Sequence, residues 1–480
     1  MSIYRVPIIS DTTISTYSIN PSITGLGSAG ASQICDLWSW YNDKTNKKYL
    51  ARILAKANVT ALTDAINSGI AQSPVTDSTV TCNLKFFNIN HANTQAYDFT
   101  AEVYSLTRSW TEGRGTRIDS MSITGISNWL SASNTAMWTT NGGDFKVDSS
   151  SATQYFESGY ENLNINIRTM LVNWLDGSSA NNGFLIKMNG VAESTTGSGT
   201  ANTQWYRKSF HGRATNFPNF APYIQLEWDD AITDKRNIMT FGVSGKMYFY
   251  NVVNGIFSDI DSITASYFPG TIVVSGATAN TASAFKQIFS SLSAARVKTG
   301  VYSISFTPSP TASTYSFFKD TWSITSAASG ATSAISMNHT ILNPVTASSY
   351  SNNSDFDLTI LNWNPILQKG NIVTKQLFIK QKITNVSPLV QSETNSISSI
   401  AASTISSFIA TDGYYRILVD TLGVVDVDWQ KISYDNNNNF FTLNTDNFSR
   451  NIKYNMEFKL NLKGQTLLFN NSPTFKFELE

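Results

Sequence analysis

The chain is poor in the residues from which most active sites are built. It has two cysteines, Cys35 and Cys82, and neither has a CxxC or CxxH neighbour. That spacing argues against a zinc site and against a disulfide-stapled secreted scaffold. Both read as small buried hydrophobes, with a bond between them left open. The three histidines, His91, His211 and His339, are far apart in sequence, so a shared metal site or a histidine-centred triad is not expected. Charge is scarce too: 14% of residues are charged, and 34 Lys+Arg balance 34 Asp+Glu. A neutral chain has no electrostatic footprint for nucleic acid or an anionic membrane. Low charge also gives little colloidal repulsion, which suits a component of a large assembly. No run approaches the roughly 18 apolar residues of a membrane helix. The start, MSIYRVPIISDTTIS, lacks a basic segment followed by an apolar one, so synthesis in a cytoplasm without a secretory signal is expected. The Gly197-Ser-Gly199 step lacks the lysine and helix of a phosphate loop. No cofactor and no metal is expected.

What is present points to strands. Aromatics make up 12% of residues, with eleven tryptophans, and Ser, Thr and Asn supply most of the polarity. Aromatic and β-branched side chains fit pleated, half-buried surfaces. The length suits about three domains, read here as 1–232, 233–340 and 341–480. The first holds eight of the eleven tryptophans. In it KKYLARILAKANV, TVTCNLKFFNI, FTAEVYSL and PYIQLEW alternate as strands, and TMLVNWL also reads as strand-like. ALTDAINSGI looks helical, while SSATQYFESG and the stretch Ser194 to Gln204 read as loops. In the second, Phe285, Ile288, Phe289 and Leu292 have helical spacing with Gly300 as the cap, which gives a small α+β domain. VYSISF and TYSFFKDTWSIT alternate, and Ser326 to Ser336 reads as a loop or linker. In the third, YYRILVDTLGVVDVDW turns at Gly423 and YNMEFKLNLKGQTLLF turns at Lys463–Gly464. Such spacing suggests an immunoglobulin- or fibronectin-like sandwich. FKFELE reads as an edge strand able to add to a partner's sheet.

Two acids across a sugar would serve glycoside hydrolysis. The candidates are Glu112 in SWTEGRG and Glu161 in GYENLN, with Asp229 and Asp230 adjacent after Trp228. Isolated acids in β-loops mostly cap turns or face water, so no catalytic residue is assigned. Trp110, Trp174 and Trp205 could form a glycan platform or an interface, although filling the core is the more frequent use of such rings.

The segments VYSLTRSWTEGRGTR, INIRTMLVNWLDGSSANNGFLIK and KSFHGRATNFPNFAPYIQLEW together resemble DNRLRE-type jelly-roll modules. Trp110, Glu112, Trp174, Leu175, Gly183, Phe184, Phe210, Pro222 and Leu226 carry the match, and Arg52 lies in a strand resembling an early one of the family. HGRATNF departs from the family's Ser-x-Glu step. RNIMTFGVSGKMYFYN, ARVKTGVYSISF and KDTWSI resemble structural proteins of contractile-tailed phages of marine bacteria. Phe441, Leu443, Phe448, Tyr454 and Phe458 resemble their C-terminal sandwich. The resemblance implies a mainly β chain: an N-terminal jelly-roll sandwich, a small middle domain and an Ig-like C-terminal sandwich. It further implies a non-enzymatic virion protein partnered by other virion proteins in a symmetric arrangement. Adhesion to host surface glycans and polysaccharide depolymerisation are the alternatives.

Overall fold

A computed structural model describes residues 2–17, 27–42, 47–90, 98–116, 126–194, 206–236, 239, 242–254, 256–260, 270–278, 280–292, 294–308, 315–325, 332–340, 356–381, 408–435, 438–462, 465–470 and 475–480. The chain divides into two compact units. One is Ile3–Asp229 with Asp446–Ser449; the other takes Asp230–Thr445 and Arg450–Glu480.

The strands of the N-terminal unit are β1 (Ser2–Ser15), β2 (Gly27–Ser28), β3 (Ile34–Asn42), β4 (Lys47–Ala57), β5 (Thr81–Phe86), β6 (Phe99–Leu106), β7 (Phe145–Lys146), β8 (Ala152–Phe156), β9 (Leu163–Asn166), β10 (Phe184–Met188), β11 (Tyr206–His211) and β12 (Tyr223–Trp228). Helices α1 (Val59–Asn67), α2 (Arg168–Leu175) and α3 (Gly190–Glu193) lie between them. The pairing order is β7-β6-β10-β4-β1-β12-β5-β9, with β3 on β4 and β11 on β3. Beyond β5, Ile89 N–H donates to Ser209 O and His211 N–H donates to Phe87 O, so the chain after β5 pairs with β11 as well. This wound, antiparallel arrangement is the sandwich expected, filled by Ile53, Leu84, Phe86, Phe99, Val103, Phe156, Phe184, Phe210 and Leu226.

One sheet is buried on both faces. On β4, Ile53 and Ala55 point into the main core, whereas Leu50 and Leu54 belong to a second cluster with Trp129, Trp138 and Leu185. Trp129, Leu130, Trp138 and Phe145 come from the segment between β6 and the end of β7 and cover a face that a sandwich usually leaves wet. At Gly183, φ is +86°, and an added Cβ would lie 2.2 Å from Ala55 O, so only glycine fits where β10 begins.

In the second unit, Gly245–Tyr250, Val301–Phe306 and Ala295–Lys298 form one sheet; Lys286–Leu292, Gly270–Ala277, Phe317–Thr325 and Thr332–Thr340 form another. Met247, Phe249, Ile272, Val274, Ile304, Phe318 and Trp322 make their core. The C-terminal segment has a sheet of Phe356–Ile360, Ile372–Gln381, Asn439–Asn444 and Ser433–Tyr434. Its second sheet runs Ile366–Leu367, Lys476–Leu479, Lys453–Leu462, Gly413–Val419, Val424–Lys431. Phe441 of the first packs on Tyr415 (5.3 Å between ring centres) and Phe458 (5.7 Å) of the second, as an Ig-like sandwich requires. Ile232, Tyr248 and Val301, with Phe440 against them, tie the middle sheets to this sandwich.

Six expectations are corrected. The helix placed over Phe285 to Leu292 is a strand after a 3-10 turn at Ala282–Ala284. Leu292 pairs with Ile272 and Phe289 with Val274, so an irregularity spaces its residues by three where the partner is spaced by two. That irregularity imitates helical spacing. Gly300, with φ +70°, turns a hairpin instead of capping a helix. The TMLVNWL segment is helix α2, whose buried Met170, Leu171 and Trp174 share one face. SSATQYFESG contains strand β8, which pairs with β6, and Ser326 to Ser336 runs into the strand Thr332–Thr340. FKFELE is not an edge. Lys476–Leu479 pairs with Lys453–Asn455 on one side and with Ile366–Leu367 on the other.

Candidate functional site

The motif residues converge on the N-terminal unit. Trp110 Nε1 donates to Asn182 O at 3.0 Å, and its half-buried ring packs against the second cluster. Glu112 accepts the Asp11 N–H at 2.8 Å and two bonds from Arg213 Nη2, at 3.0 and 3.2 Å. Asp11 Oδ2 accepts the Arg213 N–H at 2.6 Å and the Cys35 thiol at 3.4 Å. The HGR step that departs from the family pattern therefore places an arginine opposite the motif glutamate. Asp11 is 1% exposed. Burial pushes its carboxyl up to about 6 against the donors that favour the anion, and the nearby Glu112 adds to the rise. Burial also pushes the Cys35 thiol well up, so it is no nucleophile. Cys35 and Cys82 are both free and buried.

Under the covering segment lies a second polar group. Arg52 donates to Glu193 Oε1 at 3.1 Å and Oε2 at 2.6 Å, and to Gly142 O at 2.9 Å. Its guanidinium stacks over Trp129 at 4.8 Å. Lys187 Nζ reaches Glu102 at 2.9 Å and Glu193 at 3.5 Å, and the Tyr104 hydroxyl donates to Glu102 at 3.0 Å. Burial, then the bond to Glu102, pushes Tyr104 up to about 12. Charges here must pair because water is excluded. Arg52 was visible in the sequence as part of a resembling strand; Glu193 carried no signal, being 141 residues away.

Of the aromatic candidates, Trp174 is core, stacked on Phe184 at 6.3 Å and 16°. Trp205, His91 and the Gly197–Gly199 loop lie outside the described residues. Glu161 accepts from Ser158 N–H at 2.7 Å, in surroundings unlike those of Glu112. His211 Nδ1 bonds Thr215 Oγ1 and its ring stacks on Phe220. An open groove of about 600 Å³ runs along Thr107, Arg108, Thr139, Thr140, Asp144 and Phe145. Burial pushes Asp144 up, but the Thr139 and Thr140 N–H groups and Arg108 together hold it below its ordinary value. Tyr17, just past β1, meets Trp40 of β3 and Tyr49 of β4 at 4.7–5.7 Å between ring centres, a group missed in the sequence. In the second unit, exposed apolar side chains gather on two hairpins: Val252, Val253 and Phe257, and Leu422, Val424 and Val425. Among the described residues no group of three or more His, Cys, Asp or Glu could hold a metal, and no helix is long and apolar enough to cross a membrane.

No family model and no curated protein matches the chain. Among solved structures it is similar to the fibronectin(III)-like modules of CbhA from Clostridium thermocellum, with 6% identity over 52% of this chain and 89% of that one and a TM-score of 0.14. An ICAM-5 D1–D4 ectodomain fragment gives 8% identity over 59% of this chain and 65% of that one, at 0.14. A DUF4785 family protein from Legionella pneumophila gives 9% over 98% and 93%, at 0.16. Likenesses this weak carry no functional argument.

Proposed function

We propose that the chain is a virion structural protein of the contractile-tailed phage kind, working by rigid packing and assembly contacts and not by catalysis. The observation that carries this reading is how the chain uses its polar and apolar groups. The motif residues Trp110 and Glu112 and the non-family Arg213 are spent on fastening loops to the sandwich. In the second unit, the Val252–Phe257 and Leu422–Val425 hairpins each present three outward apolar side chains, which a neighbouring subunit could cover. The expected partners are other virion proteins in a symmetric array. Tracing the chain in electron-microscopic density of purified particles tests this. Ordered, symmetric contacts through those hairpins are the expected result; absence from the particle sinks the reading. Substituting Phe257→Asp with Leu422→Asp should lower incorporation while leaving the thermal unfolding of the free protein within a few degrees.

A second reading, glycan adhesion, is favoured by the Tyr17–Trp40–Tyr49 group, because half-buried aromatic rings suit sugar faces. Binding of host surface polysaccharide that Trp40→Ala abolishes would favour it over the first.

A further inference from the structure

One buried group is explained by neither the motif residues nor the covering segment. Lys208, on β11, is 0% exposed, yet among the described residues no carboxylate bonds it. Its Nζ donates to Asn88 Oδ1 at 2.6 Å and to Gly159 O at 2.5 Å. Two rings wall it in, Phe156 at 5.1 Å and Phe210 at 5.3 Å. A lysine placed among neutral oxygens and aromatic faces loses hydration, and desolvation favours the amine over the ammonium. Burial accordingly pulls Lys208 down to about 8, with Glu161 pulling the other way. Glu161 sits in the Ser158–Glu161 turn that also supplies Gly159 O, and its Oε2 is buried without a hydrogen-bond partner. Asn88 and Phe210 face each other as a β-bridge, which sets the Asn88 and Lys208 side chains against one another.

A desolvated amine walled by two rings, a carboxamide within hydrogen-bond reach and a carboxylate in the adjoining turn are the parts of an amide-forming reaction. We propose that Lys208 and Asn88 join in an intramolecular isopeptide bond, with Glu161 carrying the proton. The carboxamide turns about its Cβ–Cγ bond, and the Nζ lone pair attacks Cγ. The carbonyl π pair moves onto Oδ1 and returns as the Cγ–Nδ2 bond breaks. Glu161 takes one proton from Nζ and delivers it to Nδ2, which departs as ammonia. One N–C bond forms, one breaks, and nothing is oxidised or reduced. The link spans 120 residues of chain and lies where the segment after β5 meets β11.

Intact-mass spectrometry of the full-length protein, followed by peptide mapping, tests this without any variant. The expected result is a mass lower than the sequence mass by one ammonia, with a branched peptide joining Lys208 to Asn88. A mass equal to that of the sequence, with Lys208 and Asn88 in separate linear peptides, overturns the proposal. Lys208→Arg and Asn88→Ala should each restore the full mass. Glu161→Gln should fold and remain unlinked, and a cross-linked E161Q protein would overturn the role given to Glu161.

Discussion

The N-terminal sandwich and the C-terminal Ig-like sandwich solve the same problem by different means. The C-terminal one follows simple alternation: Gly413–Val419 buries every second residue, and Phe441, Tyr415 and Phe458 close the space between its sheets. The N-terminal one covers a sheet on both faces and then has to accommodate Arg52, Lys187 and Glu193 in its interior. The difference teaches what a long covering segment costs. It adds apolar burial through Trp129 and Trp138, and in exchange every charge trapped beneath it needs a partner.

The largest effects should separate these two designs. Arg52→Ala and Phe441→Ala are each expected to cost about 3–5 kcal/mol, the first by leaving Glu193 short of its partner and the second by opening a cavity. They should differ in rescue. Adding Glu193→Leu to Arg52→Ala should recover part of the loss, whereas no single polar change should rescue Phe441→Ala. Urea unfolding followed by tryptophan fluorescence reads the N-terminal loss most directly, because eight of the eleven tryptophans lie there.

A middle-sized effect should come from Asp11. Its carboxyl is raised from 3.8 to about 6 on folding, so the folded state holds that proton more tightly than the unfolded chain. The stability this adds is fully present below pH 3.8 and is lost as pH rises through 6. About two pH units correspond to roughly 3 kcal/mol. Asp11→Asn should flatten the rise in melting temperature that this proton is expected to give between pH 7 and pH 4. An unchanged slope would mean that another group sets it. The smallest effect belongs to Glu112→Gln: its partner Arg213 is partly exposed, so the loss should be about 0.5–1 kcal/mol and should shrink further in salt.

Much of this architecture could be read in the chain before any coordinates. FTAEVYSL and YYRILV alternate, and their strands bury the expected face. What was hidden depends on pairs distant in sequence. Arg52 meets Glu193 across 141 residues and Lys208 meets Asn88 across 120, and no local pattern marks either pair. FKFELE looked like an edge because its parallel neighbour, Ile366–Leu367, is too short to register as a strand. The Phe285–Leu292 run misled because an irregular strand and a helix can share one apolar spacing.

Strand β1 has a further consequence, for synthesis. It pairs with β4, made soon after it, and with β12, whose residues Tyr223–Trp228 come more than two hundred positions later. At a ribosomal pace of about 5–20 residues per second, the nascent chain carries half of its first strand unpaired for on the order of 10–40 s. During that interval the exposed backbone of Ser2–Ile8 is a template for the wrong neighbour, a second nascent copy included. Yield in the cell should therefore respond to translation speed and chaperone supply more strongly than the stability of the finished protein suggests.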